Sequence, residues 1–164
     1  MDHLTELAER LGEALLAQGE QVSCAESCTG GGIAEAITRV AGSSAWFEAG
    51  FVTYSNRQKT AQLSVPEVLF AEHGAVSQGV VEAMVRGAQQ RSGARYAVAV
   101  SGIAGPGGGS PDKPVGTVWL AWADGARCEA RCYCFSGERQ AVRQQSVQKA
   151  LQGLLALLAG ENLP

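Results

Sequence analysis

The spacing of hydrophobic and polar positions changes period several times along this chain, and each change marks an element. Leu4, Leu7, Ala8, Leu11 and Leu15 form one helical stripe with Glu6, Glu9, Arg10 and Glu13 opposite, and Gly19 stands where a helix-ending glycine belongs. Residues 21–25 are short and apolar enough for a buried strand. Residues 33–40 return to helical spacing until Ala41-Gly42 stops them. Residues 45–54, rich in aromatic and β-branched side chains, predict a long strand. Ser55 or Asn56 then caps a short polar helix carrying Arg57, Gln58, Lys59 and Gln62. Pro66 opens another, over residues 67–72, which His73-Gly74 ends. Ser77 caps a longer helix with the stripe Val80, Val81, Met84, Val85 and Ala88.

Tyr96-Ala97-Val98-Ala99-Val100 is apolar throughout, as a central strand buried on both faces must be. Residues 117–123 and 126–135 are strands joined by Asp124-Gly125, a hairpin signal, so this pair is antiparallel. The last helix begins at Ser136-Gly137-Glu138-Arg139 and carries Val142, Val147, Leu151, Leu154, Leu155 and Leu158; residues 160–164 are expected to fray. These elements predict an α/β fold, a three-layer α/β/α sandwich around a mixed, mainly parallel sheet with one antiparallel hairpin, in a single domain over residues 1–164.

Composition narrows the function classes. With 46% hydrophobic and 18% charged residues the chain folds around a core. A net charge of −3 without a Lys/Arg cluster argues against nucleic acid as a partner. The start Met1-Asp2-His3-Leu4-Thr5-Glu6 lacks a basic, then apolar, leader, and no segment has the length of a membrane span, so a cytoplasmic chain with no membrane partner is expected. In that compartment Cys24, Cys28, Cys128, Cys132 and Cys134 stay reduced. Their C-x3-C and C-x3-C-x-C spacings are not those of zinc knuckles, and no metal is expected. Cys132 and Cys134 share a strand face, where small buried thiols are ordinary. Apolar residues on the long helices allow a homo-oligomer.

Chemistry concentrates in two glycine-rich turns. Ala25-Glu26-Ser27-Cys28-Thr29-Gly30-Gly31-Gly32 joins a strand to a helix, aiming backbone N–H groups and a helix dipole at the Ser27 hydroxyl. It is neither a nucleophile elbow, since Ala25 stands where glycine is needed, nor a P-loop, since Gly31-Gly32-Ile33 supplies no Gly-Lys-Ser. Cys28, Thr29 and Gly30 are candidate binding positions, and Cys28 is a rival nucleophile. A base for Ser27 is not an obvious histidine: His3 lies near the N-terminus and His73 ends a short helix. Lys59 and Tyr54 are the alternative, the lysine as a partly desolvated base and the tyrosine relaying a proton or holding the lysine. The second turn, 101–110, follows the central strand; Gly102, Gly105 and Gly107 leave its N–H groups open to a phosphate. Arg139 and Arg143, one helical turn apart, are candidates to grip a phosphate or carboxylate.

Five stretches resemble one family. Ala25-Glu26-Ser27-Cys28-Thr29-Gly30-Gly31, Phe51-Val52-Thr53-Tyr54-Ser55-Asn56 with Lys59, His73-Gly74-Ala75-Val76-Ser77, Ser101-Gly102-Ile103-Ala104-Gly105-Pro106-Gly107-Gly108 and Lys113-Pro114-Val115-Gly116-Thr117-Val118 are similar, in this order, to the CinA C-terminal domain. The resemblance implies deamidation of nicotinamide mononucleotide to the nicotinate nucleotide and ammonia, in pyridine-nucleotide salvage. It implies a serine nucleophile, Ser27, helped by Lys59 and Tyr54, and no cofactor. It also implies that the separate pyrophosphatase domain of longer relatives is absent. A non-catalytic nucleotide-binding module and an amidase for another small carboxamide remain as alternatives.

Overall fold

Strand β1 (Val22–Glu26) is buried over its whole length, because it lies between β2 (Phe47–Val52) and β3 (Tyr96–Gly102) with helices on both faces. The computed structural model describes residues 2–164. Its helices are α1 (His3–Gln18), α2 (Gly32–Thr38), α3 (Asn56–Leu63), α4 (Glu67–His73), α5 (Gln78–Ser92) and α6 (Arg139–Ala159), and β4 (Thr117–Asp124) and β5 (Arg127–Cys134) complete one sheet in the order β2-β1-β3-β4-β5. β1 pairs in parallel with both β2 and β3, β4 runs antiparallel to β3, and β5 reverses again. The sheet is therefore mixed, with β4 alone running against the others.

The caps follow local chemistry. Asp2 accepts from Thr5 N at 2.8 Å to start α1, and Gly19 ends that helix in the left-handed region at φ 66°. Ser55, rather than Asn56, caps α3 by accepting from Gln58 N at 3.2 Å. Ser77 precedes α5 but its hydroxyl donates back to Gly74 O instead of capping.

The two sheet faces differ in residue size. Val22, Cys24, Val98, Val100, Val118, Leu120 and Trp122 pack under α1, α2 and α6. The opposite face is Ala25, Ala97, Ala99, Ala121 and Ala123, and these small side chains let α5 lie close against the strands. Gly153 of α6 makes room for Trp122, whose Nε1 donates to Ala150 O at 2.9 Å.

Four expectations are corrected. The antiparallel step already begins between β3 and β4. A 3-10 turn, Ser43–Ala45, precedes β2, so that strand starts only at Phe47. The C-terminal tail is docked, with Leu163 buried in the α1/α6 core and the Tyr133 hydroxyl donating to Pro164 O. Cys132 and Cys134 share a face of β5 but are exposed, because β5 is an edge strand; the two buried thiols are Cys24 and Cys28.

Candidate active site

Ser27 extends β1 by one residue. Its N–H donates to Val100 O at 3.1 Å, while Thr53 N donates to Glu26 O at 2.9 Å, so the parallel ladders continue to the sheet's C-terminal edge. Alternation then decides the face. Ala25 points to the α5 side and Glu26 to the α2 side, so Ser27 points back to the α5 side, where α3 also packs. Lys59, in the first turns of the polar helix α3, meets this strand-end serine because it is only 1% exposed despite its charge.

 

Burial sets the chemistry of that lysine. Lys59 Nζ donates to Tyr54 O at 2.9 Å and has no acidic partner among the described residues, and desolvation lowers its pKa from the ordinary lysine value. The Ser27 hydroxyl, in a residue 8% exposed, donates to the same carbonyl at 3.4 Å. The nucleophile and base candidates thus meet at one oxygen. The Tyr54 side chain is elsewhere: it is 60% exposed, and its hydroxyl accepts from Arg139 Nη2 at 3.2 Å. The backbone of Tyr54, not its phenol, holds the lysine.

Glu26 is the site residue that sequence reasoning missed. Fully buried, it accepts from Thr29 Oγ1 at 2.5 Å, Ile33 N at 2.8 Å and Ala34 N at 3.0 Å. Gly31 precedes α2 and offers no capping side chain, so the carboxylate answers the helix's free N–H groups. The signal lay in that uncapped glycine start. The α2 dipole is therefore directed at Glu26 rather than at Ser27, which corrects the expectation that it serves an anion at the hydroxyl. Gly30 N–H is also committed, to Ser27 O at 3.1 Å. Cys28 and Thr29 N–H have no partner among the described residues and are the turn's remaining donors.

Cys28 is a poor rival nucleophile. Its thiol is 6% exposed, and burial pushes its pKa up to about 11, so little thiolate exists near neutral pH. His73 and His3 are exposed and lie beside Glu72 and Glu6, not beside Ser27.

The two arginines join α6 to both glycine turns. Arg139 donates to Gly105 O at 2.8 Å as well as to Tyr54. Arg143 donates to Cys28 O at 3.1 Å and Thr29 O at 3.3 Å, bracing the turn after Ser27. In the second turn, a Cβ at Gly102 would meet Val118 at 2.6 Å, and one at Gly105, with φ 84°, would meet Val115 at 2.5 Å; packing explains both glycines. Gly107 faces open space.

Fold and side chains together bring the Ser27 hydroxyl and the buried Lys59 amine to one carbonyl at the C-terminal edge of the sheet in an α/β/α fold. The family model for the CinA C-terminal domain matches residues 4–158, and the chain belongs to that family. It is 71% identical over 157 residues to the nicotinamide-nucleotide amidohydrolase PncC of Pseudomonas putida, covering 96% of this chain and 98% of that one. To the protein of the same name from Escherichia coli (strain K12) it is 57% identical over 153 residues, 92% of each. The crystal structure of the competence/damage inducible protein CihA from Agrobacterium tumefaciens superposes with a TM-score of 0.93 at 44% identity, covering 96% of each chain. No helix among the described residues is long and apolar enough to cross a membrane.

Proposed function

We propose that this chain deamidates nicotinamide mononucleotide, releasing ammonia and the nicotinate nucleotide, in pyridine-nucleotide salvage in the cytoplasm. The observation that carries the mechanism is the buried Lys59 ammonium group sharing the Tyr54 carbonyl with the Ser27 hydroxyl. The names of the similar proteins supply the substrate.

Ser27 Oγ attacks the carboxamide carbon, and Lys59, whose burial favours the neutral amine, takes the hydroxyl proton. Cys28 and Thr29 N–H face the developing oxyanion, each such donor being worth about 3 kcal/mol in comparable sites. The protonated lysine returns its proton to the departing nitrogen, and water then hydrolyses the acyl-enzyme. Arg139 is the better phosphate ligand of the two arginines, since Arg143 is spent on the turn's carbonyls. Gly107, exposed in the second turn, leaves its backbone free to approach the same group.

A coupled ammonia assay tests the reading. Purified protein should release ammonia from nicotinamide mononucleotide, and much more slowly from nicotinamide riboside and free nicotinamide. No release from the nucleotide would end it; equal turnover of all three would turn it into an amidase that ignores the phosphate.

A further inference from the structure

We propose that Ser101 is a further catalytic residue, its hydroxyl carrying the proton between Ser27 and Lys59. The inference rests on the serine–lysine reading above. Four observations support it.

The first is register. Glu26 pairs with Val100, so Ser27 and Ser101 are level on neighbouring parallel strands. The second is facing. Ala97 and Ala99 of β3 point to the α5 side, and Ser101 follows in the same alternation, as Ser27 follows Ala25. Both hydroxyls therefore stand on the face that carries Lys59. The third is access: Ser101 is 1% exposed, yet its hydroxyl, unlike that of Thr53, is not among the polar side-chain atoms sealed without a partner.

The fourth is the geometry of the shared carbonyl. Ser27 Oγ and Lys59 Nζ both donate to Tyr54 O and make no hydrogen bond to each other. A carbonyl oxygen accepts but has no proton to pass on. A hydroxyl does both. In the forward step the Ser27 proton moves to Ser101 Oγ while the Ser101 proton moves to the neutral Lys59 amine, as the bond from Ser27 Oγ to the carboxamide carbon forms. In the return step Lys59 gives a proton to Ser101, and Ser101 gives its own to the nitrogen, as the carbon–nitrogen bond breaks. Ser101 ends each cycle neutral, Lys59 ends it as the free amine, and ammonia leaves.

Thr53 is the rival on the other flank. It is level with Ser27 through the pairing of Glu26 with Val52, and its Oγ1 is buried without a partner. Its hydroxyl is sealed from the surface, so it cannot follow the proton to a substrate nitrogen.

The test measures ammonia release from nicotinamide mononucleotide by Ser101→Ala, Ser101→Thr, Thr53→Val, Lys59→Met and the Ser101→Ala/Lys59→Met pair, with thermal melting as the fold check. We expect Ser101→Ala to lower kcat about 10²-fold, in the range of a lost proton-transfer group, with KM within about threefold. Ser101→Thr should recover most of the rate, and Thr53→Val should stay near wild type. The double variant should be no slower than Lys59→Met alone, because the two residues act as one unit. If Ser101→Ala does not fold, Ser101→Cys, nearly its size, replaces it in the same cycle. A wild-type rate in Ser101→Ala, losses that multiply in the double variant, or a collapse in Thr53→Val alone would each overturn the proposal. An inactive wild-type protein would instead overturn the function on which it rests.

Discussion

Ser27 Oγ and Lys59 Nζ reach one acceptor, the carbonyl oxygen of Tyr54, at 3.4 and 2.9 Å. The proposed base and nucleophile are thereby held by backbone at the junction of β2 and α3, where a side-chain substitution does not easily disturb them. Ser27→Ala should remove at least 10³-fold of the rate of ammonia release, as loss of a nucleophile does, without shifting the melting temperature by more than a degree or two. The buried Cys28 thiol, held at about 11, should not substitute for it. Residual turnover that iodoacetamide abolishes would show that Cys28 takes over.

Lys59→Met should trade activity for stability. Burial lowers the lysine pKa, so in the folded protein the charged form is disfavoured relative to the unfolded chain. Below the lowered value both states carry the proton and the folded state bears the whole cost. Between that value and 10.5 the folded chain sheds the proton first, and stability rises with pH. Methionine keeps the apolar stem and removes the charge. The variant should melt a few degrees higher at pH 7, corresponding to about 1 kcal/mol, lose this alkaline rise, and release almost no ammonia. In the wild type, kcat should climb with pH through the lowered lysine value. A flat profile, or a variant that melts lower, would remove Lys59 as a desolvated base.

Sequence made the elements legible and left the site half hidden, for physical reasons. Helical stripes report which face of a helix is apolar, and α3 has almost none, so nothing in Asn56-Arg57-Gln58-Lys59-Thr60 said that Lys59 would be buried; α5 and the end of the sheet do that from a distance. The role of Glu26 depends on α2 turning back over the strand, a contact between residues seven and eight apart that no capping pattern describes. The reversal between β3 and β4 was readable: residues 103–116 contain no helix, and a parallel return needs a crossover that is usually helical.

Glu26→Gln should loosen the whole turn. A carboxylate accepts from Thr29, Ile33 and Ala34 at once, whereas a glutamine amide must turn its own N–H groups toward some of those donors. Loss of hydrogen bonds to a buried charge costs about 1.5–3 kcal/mol, so the melting temperature should fall several degrees. The Cys28 and Thr29 N–H groups would shift with the turn, and kcat should fall about tenfold or more at unchanged substrate binding. A variant with wild-type melting and kcat would deny Glu26 its place in the turn.

Arg139→Ala should act on binding. Its contacts to Gly105 O and the Tyr54 hydroxyl hold it between the second glycine turn and the site mouth. Removing a guanidinium from a phosphate should raise KM for nicotinamide mononucleotide about 10–100-fold, the worth of one charge-assisted contact. The riboside, which has no phosphate, should be turned over at the wild-type rate. If both substrates suffer alike, Arg139 positions the loop and does not bind phosphate.

Gly87→Ala tests whether the packing of α5 sets the position of α3. A Cβ on Gly87 would lie 2.3 Å from the backbone oxygen of Leu63, the last residue of the helix that carries Lys59. Two effects oppose each other. Alanine favours a helix interior over glycine by about 1 kcal/mol, while overpacking costs about 1–3 kcal/mol or more. The overlap wins here, because a backbone atom cannot rotate away as a side-chain tip would. The melting temperature should fall by several degrees, and kcat should fall with it as α3 is pushed off the sheet and Lys59 Nζ leaves the Tyr54 carbonyl. Gly107→Ala, where an added Cβ meets nothing within 4 Å, is the control and should melt like the wild type. A Gly87→Ala protein that melts higher and keeps its rate would show that α3 takes its position from the strand edge alone.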